Sequence, residues 1–389
     1  MNEQLLEAIG FFTRETGIMD MLAVSCGRGE KRAFARDGRE ASPRTVFDLA
    51  SVTKLFTGLC LMRLREEGKL DFSRRVADYC PAFSRLKDVT VEQLMAFQVQ
   101  VRTPERIDCQ PDRASALACL REAGVAETPG PRNYSDIPAM ILKYVAEAAA
   151  DEPLMACVRR RILDIAGMEE TWARVPESRK ADCLLYGPEY RIEGENRICR
   201  TDIRRGLPHD PKAAILQGET DDLCGHAGLF STLGDLEKLA KAILAERIVS
   251  RESLRAMAVN RTGHRRPDGS YSQYLGYLCY RKHPDQYFSE IPASMSQEAF
   301  GMGGFTGNHF SVDPAQGAWR IFLGNRVRGR LTVLLPPAGR TRTDYGLRAD
   351  GVGTLIWEDG TVIPSSVDYV HQKDEHLHRV IDMVLESKD

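Results

Sequence analysis

A serine and a lysine three positions apart are the residues of this chain best suited to chemistry. They form Ser51-Val-Thr-Lys54, within the longer run at residues 47–57. Residues three apart share one face of a helix, so a helix that begins at Ser51 would hold the Lys54 amine beside the Ser51 hydroxyl. A serine hydroxyl needs a base to take its proton, and a lysine in a pocket is a candidate because burial disfavours its charged form. The same spacing also occurs on ordinary surface helices, so further motifs are needed.

The run after Ser51 predicts a buried helix. Residues 55–64 are apolar on almost every side, which is typical of a helix in a protein core. Ser51 would then lie at the N-terminus of this helix, where free N–H groups and the helix dipole favour a developing negative charge. The position therefore suits a nucleophile.

Periodic patterns predict strands near both ends of the chain and helices between them. Apolar residues recur at helical spacing over residues 3–16, 90–97, 113–123, 136–149, 153–166, 233–246 and 370–385. Strand-like runs occupy residues 21–26, 32–35, 309–312, 319–324, 331–335 and 354–357. This order fits a sheet built from both chain ends around an inserted helical lobe. We predict a sheet domain from residues 1–65 and 290–389, and a mostly helical lobe from residues 66–289.

Composition narrows the class of protein. The 389 residues exceed the usual size of one domain. Lysine and arginine number 53 against 55 acidic residues, and the net charge of -2 gives no general attraction to nucleic acid. The N-terminus lacks a signal-peptide pattern, and no apolar run approaches the roughly 18 residues of a membrane span. A cytoplasmic protein without nucleic-acid or membrane partners is therefore expected.

The cysteines predict neither a disulfide framework nor a zinc site. Ten are scattered along the chain without a C-x-x-C pair, and several lie in apolar runs. Free and mostly buried thiols are expected, as in a reducing compartment. The same scatter argues against zinc, and no metal or organic cofactor is expected.

Further segments accompany the Ser-x-x-Lys motif in a characteristic order. They are Leu-Arg-Glu-Glu-Gly-Lys-Leu (64–70), Val-Ala-Asp-Tyr-Cys-Pro (76–81), Ile-Leu-Asp-Ile-Ala-Gly-Met-Glu-Glu-Thr (162–171), Gly-His-Ala-Gly-Leu-Phe-Ser-Thr (225–232) with Asp235-Leu236, and Leu-Gly-Asn-Arg-Val (323–327). Over most of residues 20–330 the chain resembles the serine β-lactamase and penicillin-binding-protein superfamily, in the branch of class C β-lactamases, D-alanyl-D-alanine peptidases, esterases and transesterases. The resemblance implies an α+β, β-lactamase/transpeptidase-like fold with an antiparallel sheet flanked by helices.

The second motif of that family is Tyr-x-Asn, and its counterpart here is Tyr134-Ser135-Asp136. The resemblance implies that Tyr134 lies near Ser51 and Lys54 and carries a proton from nucleophile to leaving group. A phenol titrates near pH ~10, so it acts as a base at neutral pH only if adjacent positive charge stabilises its anion. Asp136 takes the place of the asparagine, a substrate-binding position. A carboxylate only accepts hydrogen bonds, so Asp136 could instead pair with Lys54 or cap the next helix.

The third motif, often Lys-Thr-Gly or His-Thr-Gly, corresponds to Met302-Gly303-Gly304. Glycines let a substrate approach the strand backbone closely, so these three residues are candidate substrate contacts. The resemblance implies that the N–H groups of Ser51 and Phe305 form the oxyanion hole. Met302 offers neither charge nor proton, so the family's usual handle for a substrate carboxylate is missing at this position.

Histidines are not required, since serine, lysine and tyrosine can supply both base and acid. His226 is expected to be structural or to lie at the cleft edge. His309 could face either side of the third-motif strand, and His209-Asp210 could rim the site.

These residues predict a serine hydrolase that forms an acyl-enzyme on an ester or amide of a small molecule or small peptide, as an esterase, amidase or transacylase. One alternative is a β-lactamase or D-Ala-D-Ala-type peptidase in which Arg326 or Arg328 supplies the carboxylate handle. An alternative of another class is a catalytically silent, penicillin-binding-like sensor or binding module. The oligomeric state is left open.

Overall fold

The computed structural model describes residues 1–130, 132–284 and 290–387. Its helices are α1 (Glu3–Gly10), α2 (Thr53–Glu66), α3 (Val76–Tyr79), α4 (Val91–Met95), α5 (Arg113–Arg121), α6 (Ile137–Ala150), α7 (Leu154–Val158), α8 (Asp164–Ala166), α9 (Glu177–Lys180), α10 (Pro211–Leu216), α11 (Leu233–Leu244), α12 (Arg251–Met257), α13 (Tyr369–Gln372) and α14 (His378–Glu386). π-Helical turns follow α1, α7 and α13, at Phe11–Glu15, Arg159–Leu163 and Lys373–Leu377. Short 3-10 turns lie at Ala50–Val52, Ser84–Leu86, Ile107–Cys109 and Arg342–Tyr345.

The strands form one large sheet and several small ones. They are β1 (Met21–Arg28), β2 (Lys31–Gly38), β3 (Phe47–Asp48), β4 (Val101–Arg102), β5 (Gly124–Val125), β6 (Glu189–Glu193), β7 (Asn196–Arg200), β8 (Phe230–Ser231), β9 (Tyr280–Arg281), β10 (Phe300–Gly304), β11 (Asn308–Asp313), β12 (Ala318–Asn325), β13 (Arg330–Leu335), β14 (Thr354–Ile356) and β15 (Val362–Pro364). The large sheet has the order β2-β1-β12-β11-β10-β9, and every neighbouring pair in it is antiparallel. The predicted α+β fold, with an antiparallel sheet from both chain ends, is confirmed.

The large sheet is buried on both faces, and β1 shows how. Successive side chains of a strand point to opposite faces. Met21 and Ala23 therefore join the main core, which contains α2, whereas Leu22 and Val24 join a second core formed with α1 and α14. The sheet is thus the middle layer of the molecule, and α2, with Ser51 just before it, packs against one face.

Two predicted strands lie outside the large sheet. Residues 331–335 belong to β13, which pairs in parallel with β6 in a three-stranded sheet of order β13-β6-β7. The run at 354–357 becomes β14, in a hairpin with β15. Apolar character predicts a strand but not its partner, which explains the difference. The division into two domains stays a prediction.

Across the described residues, no helix combines the length and apolar character needed to cross a lipid bilayer.

Candidate active site

Ser51 lies in a strained turn between β3 and α2. The residue before it, Ala50, has a φ of 47°, a left-handed conformation that residues other than glycine adopt at a cost. The Asp48 carboxylate accepts a hydrogen bond of 2.8 Å from the Ala50 N–H and so supports this conformation. The Asp48 carbonyl accepts bonds from Thr306 Oγ1 at 2.9 Å and Asn308 Nδ2 at 2.7 Å. The turn is therefore fixed to the β10–β11 hairpin.

Lys54 lies one helical turn beyond Ser51 and is completely buried. Its Nζ lies 2.9 Å from Ser51 Oγ, 2.7 Å from Asp136 Oδ1 and 3.2 Å from the His226 carbonyl oxygen. The predicted proximity of the serine hydroxyl and the lysine amine is thus present. The contact with Asp136 is an ion pair.

Tyr134 lies beside this pair, just before α6. Its ring centroid is 4.9 Å from Lys54 Nζ, and the ring stacks on Tyr280 at 5.4 Å. Gln273 Oε1 accepts a 2.9 Å hydrogen bond from the Tyr134 backbone N–H. Burial raises the pKa of Tyr134 well above its usual value, the Asp136 carboxylate raises it further, and a hydrogen bond with the Ser51 side chain acts in the opposite direction. The phenol is therefore held protonated in the resting site.

Asp136 belongs to a charged network rather than capping α6. No side-chain cap from Asp136 is formed, and its second oxygen lies 3.2 Å from Lys212 Nζ. Lys212 also lies 3.3 Å from Asp210, whose other oxygen is 3.0 Å from His226 Nε2. Burial alone raises the pKa of Asp136, but Lys54, His226 and Lys212 outweigh it and hold the carboxyl ionised. Of the two expectations for Asp136, the pairing with Lys54 is the one observed.

Asp136, Asp210 and His226 could in principle hold a metal ion, because their ligand atoms lie within 4.8 Å of one another. However, the ammonium groups of Lys54 and Lys212 already neutralise the two carboxylates. Burial disfavours charge on the His226 ring, but Cys224 and Asp210 outweigh this and raise its pKa to about 10. Since metal ligation requires a neutral imidazole, this donor set does not fit a cation.

The third-motif strand, β10, passes close to the nucleophile turn. A Cβ on Gly304 would lie 2.7 Å from the Leu49 carbonyl oxygen, and one on Gly303 would lie 2.6 Å from a Glu290 oxygen. Both glycines and Phe305 line the cleft that contains Ser51. The Met302 side chain is instead fully buried in the main core and is not part of this lining, so we leave it out of the proposed substrate site.

The cleft has a volume of about 520 Å³ and carries many charges. Its lining includes Arg106, Asp108, Arg132, Asp136, Arg191, Arg200, Asp210, Lys212, Glu290, Arg326 and Lys373. Most of its cations have carboxylate partners, such as Arg106 with Asp108 at 2.6 Å and Lys373 with Glu290 at 3.3 Å.

Among the described residues, Arg132 and Arg326 have no such carboxylate partner, and Arg326 is the more deeply buried of the two. Arg326 lies over the Phe305 ring at 4.6 Å and donates to the carbonyl oxygens of Phe305 and Ser366 at 2.7 and 2.9 Å. Within the described ranges, no carboxylate forms an ion pair with it. Arg328 lies away from the cleft lining and pairs with Glu40 at 3.0 Å.

The three histidines occupy different places. His209 lines the cleft, where its ring stacks on Phe305 at 5.7 Å and its Nε2 lies 2.9 Å from Glu189. His226 is buried behind Asp210. His309 is fully buried on β11, is not part of the cleft lining, and has its Nε2 2.8 Å from Ser311 Oγ.

Three residues of the site were not predicted from the sequence: Lys212, Glu290 and Lys373. Lys212 follows His209-Asp210 closely, so the expectation that those two residues rim the cleft was the available signal. Glu290 and Lys373 come from distant segments without a recognisable motif, and they meet at the cleft through their ion pair, beside Gly303.

Comparison with known proteins fits this geometry. A family model described as Beta-lactamase matches residues 14–349, which is most of the chain. The chain belongs to the β-lactamase family. Members of this family are serine hydrolases, and the predicted resemblance is confirmed.

Two curated relatives of this β-lactamase family member carry the name "Putative D-alanyl-D-alanine carboxypeptidase". The one from Escherichia coli (strain K12) is 26% identical over 238 residues, covering 53% of this chain and 52% of the relative. The match therefore spans about half the length of that relative. The one from Salmonella enteritidis PT4 is 24% identical over 313 residues, covering 74% of this chain and 70% of the relative.

Solved structures show the β-lactamase fold. EstA from Arthrobacter nitroguajacolicus Rue61a superposes with a TM-score of 0.65 at 16% identity, covering 98% of this chain and 96% of EstA. A class C β-lactamase from Rhodobacter sphaeroides superposes with a TM-score of 0.61 at 17% identity, covering 84% of this chain and 95% of that enzyme.

Proposed function

We propose that this protein forms an acyl-enzyme at Ser51 on an ester or amide of a small molecule or small peptide. The observation that carries the proposal is the 2.9 Å contact between Lys54 Nζ and Ser51 Oγ at a cleft of about 520 Å³. A hydroxyl in contact with an amine can pass its proton to that amine, or to an adjacent group, as it attacks a carbonyl. Membership of a serine hydrolase family supports the same reaction class.

In the proposed reaction, Ser51 Oγ attacks the carbonyl carbon while Lys54 and Tyr134 receive and relay its proton. The N–H groups of Ser51 and Phe305 stabilise the oxyanion, and loss of one such donor typically costs ~100- to 1000-fold in rate. The proton then passes to the leaving group, and water or another nucleophile releases the acyl group. Because burial and the Asp136 carboxylate raise the pKa of Tyr134, the reactive state is one from which Tyr134 has lost a proton. Activity should therefore rise with pH.

A fluorophosphonate probe and a p-nitrophenyl ester test the nucleophile. We expect the wild-type protein and Ser135→Ala to be labelled and to cleave the ester, since Ser135 is a second serine in the cleft lining. Ser51→Ala should be neither labelled nor active while keeping the wild-type Tm. Labelling of Ser51→Ala would contradict the proposal. A wild-type protein that resists the probe and binds a fluorescent penicillin without turnover would instead favour the silent binding module.

A second candidate function is a D-Ala-D-Ala-type carboxypeptidase or β-lactamase. The observation in its favour is Arg326, a guanidinium in the cleft lining with main-chain partners only. Burial lowers the pKa of Arg326 to about 10, so it keeps its charge at neutral pH and could receive a substrate carboxylate. The names of the two curated relatives point to the same substrate class.

Arg326→Met separates the two candidates. If Arg326 binds a carboxylate, KM for a D-Ala-D-Ala peptide should rise at least ~10-fold while KM for a neutral ester changes little, because one charge-assisted contact contributes about 1.5–3 kcal/mol. Arg328→Met is the matched control, since Arg328 lies away from the cleft lining. Equal effects of Arg326→Met on both substrates would favour the esterase or amidase.

A further inference from the structure

A pair of cysteine thiols lies behind the nucleophile helix. Cys60 is on α2 and Cys157 is on α7, and their Sγ atoms are 2.7 Å apart. Both residues are completely buried in the main core. Other buried cysteines point to main-chain carbonyls, for example Cys224 to Ala227 at 3.1 Å. Cys60 and Cys157 instead face each other across a helix–helix contact.

A buried cation stands beside this pair. Arg161 Nη1 lies 3.4 Å from Cys157 Sγ, and two glutamates hold the guanidinium in place, Glu67 at 2.8 Å and Glu152 at 2.5 Å. A hydrogen bond from Cys60 lowers the pKa of Cys157, burial opposes the effect, and the charge of Arg161 adds to it. Thiolates are the reactive form in disulfide exchange, so Cys157 is the attacking group of the pair.

We propose that Cys60 and Cys157 are a redox modification site that forms a reversible disulfide bond between the nucleophile helix α2 and α7. The oxidant is a low-molecular-weight disulfide. The Cys157 thiolate attacks one of its sulfurs and releases one thiol, leaving a mixed disulfide on Cys157. Cys60 then loses its proton and attacks the Cys157 sulfur, which releases the second thiol. Two protein thiols are oxidised and one small disulfide is reduced to two thiols, so atoms and electrons balance.

The burial of the two thiols determines how an oxidant reaches them and how the disulfide bond changes the stability of the protein. Because both sulfurs are buried, the exchange takes place through local opening of the helices or before the fold closes. Once formed, the bond closes a loop of nearly one hundred residues and restricts the unfolded chain, so the oxidised protein should have the higher Tm, by about 5 °C or more. The bond would also hold in place the helix that carries Lys54.

Thiol alkylation tests the proposal. The full chain is incubated with oxidised glutathione, both as folded protein and during refolding from denaturant, then denatured, alkylated with N-ethylmaleimide and analysed by mass spectrometry. We expect a cross-linked peptide that joins Cys60 to Cys157, with neither of these two cysteines alkylated, whereas exposed cysteines such as Cys109 and Cys199 can carry glutathione. Dithiothreitol should restore both alkylation sites and lower the Tm.

Cysteine-to-serine variants identify which two cysteines form the disulfide bond. Cys60→Ser and Cys157→Ser should each lose the cross-linked peptide, whereas Cys224→Ser should keep it. The wild-type mass measurement stands even if a variant fails to fold. The proposal is overturned if Cys60 and Cys157 are alkylated both in the folded protein and after refolding with oxidised glutathione. It is also overturned if they carry glutathione without a bond between them.

Discussion

The carboxylate of Asp136 determines the charge around Ser51, because it contacts the ammonium groups of both Lys54 and Lys212. An asparagine at this position would leave these two cations without that counter-charge. The same carboxylate lies close enough to Tyr134 to raise its pKa. Asp136 therefore helps to hold the Tyr134 phenol in its protonated form.

Replacing Asp136 by asparagine should move the activity to lower pH. Burial still raises the pKa of Tyr134 in Asp136→Asn, but the contribution of the carboxylate is gone, so the phenol ionises more readily. We expect the rise of kcat/KM with pH for a p-nitrophenyl ester to shift down by about one pH unit. Asp108→Asn is the control, since Asp108 also lines the cleft but pairs with Arg106. An unchanged profile in Asp136→Asn would argue against Tyr134 as a proton carrier.

The local part of the site was predictable and the long-range part was not. Ser51 lies in the 3-10 turn that leads into α2 and Lys54 in the first turn of α2, so the two are neighbours, as their spacing indicates. The family motif was needed to bring Tyr134 to them. Arg326 entered only as one of two candidate arginines, and the structure distinguishes it from Arg328 because strand packing, which no short motif encodes, decides which one reaches the cleft.

At the scale of elements, β10 and the nucleophile turn must lie close together, and Gly304 permits this. In Gly304→Ala the new methyl group would meet the Leu49 carbonyl oxygen at 2.7 Å and push the strand away. If Phe305 supplies an oxyanion donor, kcat/KM should fall by roughly 100-fold. Gly234→Ala in α11 is the control, because its nearest neighbour is 4.0 Å away and alanine favours helix. Full activity of Gly304→Ala would place the oxyanion donors elsewhere.

Lys373, on the π-helical turn after α13, pairs with Glu290 beside His309 of β11, and this pair predicts a pH-dependent stability. Burial alone would raise the pKa of Glu290, but Lys373 and His309 lower it from 4.5 to about 2. A carboxyl whose folded pKa is depressed stabilises the fold above its unfolded pKa, and this stability is lost as the pH falls towards the folded pKa. At neutral pH, Glu290→Gln should cost about 3 kcal/mol of unfolding free energy.

The difference between wild type and Glu290→Gln should shrink between about pH 5 and pH 2, as measured by urea unfolding at a series of pH values. Glu122→Gln is the control, since Glu122 is 57% exposed in its pair with Arg85 and should cost less than about 1 kcal/mol at any pH. If the loss of unfolding free energy in Glu290→Gln does not change with pH, the ion pair between Glu290 and Lys373 is not its cause.

Regular periodicity was sufficient to predict most elements. The predicted helices correspond to α1, α4, α5, α6, α11 and the segments around α7 and α14. The hairpin β6–β7 was missed because Glu-Tyr-Arg-Ile-Glu and Asn-Arg-Ile-Cys-Arg contain too few apolar residues for a strand pattern. Their position is determined by pairing with β13, which lies far along the chain. Local sequence does not predict such a long-range pairing.

At the scale of the whole molecule, Arg320 connects the large sheet to the last helix. This β12 residue is almost fully buried, and its guanidinium pairs with Asp382 and lies 3.1 Å from the His378 carbonyl oxygen. Ser294 Oγ accepts a further hydrogen bond of 2.6 Å from it. The second core thus contains a charged contact among its apolar side chains.

Removing this cation should destabilise the whole protein. Arg320→Ala would leave Asp382 and the other acceptors without their donor, and we expect a loss of about 3 kcal/mol in unfolding free energy, measured by chemical denaturation. Arg14→Ala is the matched control, because Arg14 is 58% exposed in its pair with Asp37 and should cost less than about 1 kcal/mol. Similar losses in both variants would mean that burial does not govern the strength of these pairs.

The strand order also affects how the chain is made. β1 emerges from the ribosome early and can pair with β2 at once, but its other neighbour is β12, with Arg28 opposite Ala318. Most of the chain is synthesised between them, which takes on the order of tens of seconds. Through that interval one edge of β1 lacks its final partner, and the second core lacks the side chains of α14. The nascent chain is therefore a candidate client for chaperones that bind exposed apolar strands, and expression at lower temperature with such chaperones should increase the folded yield.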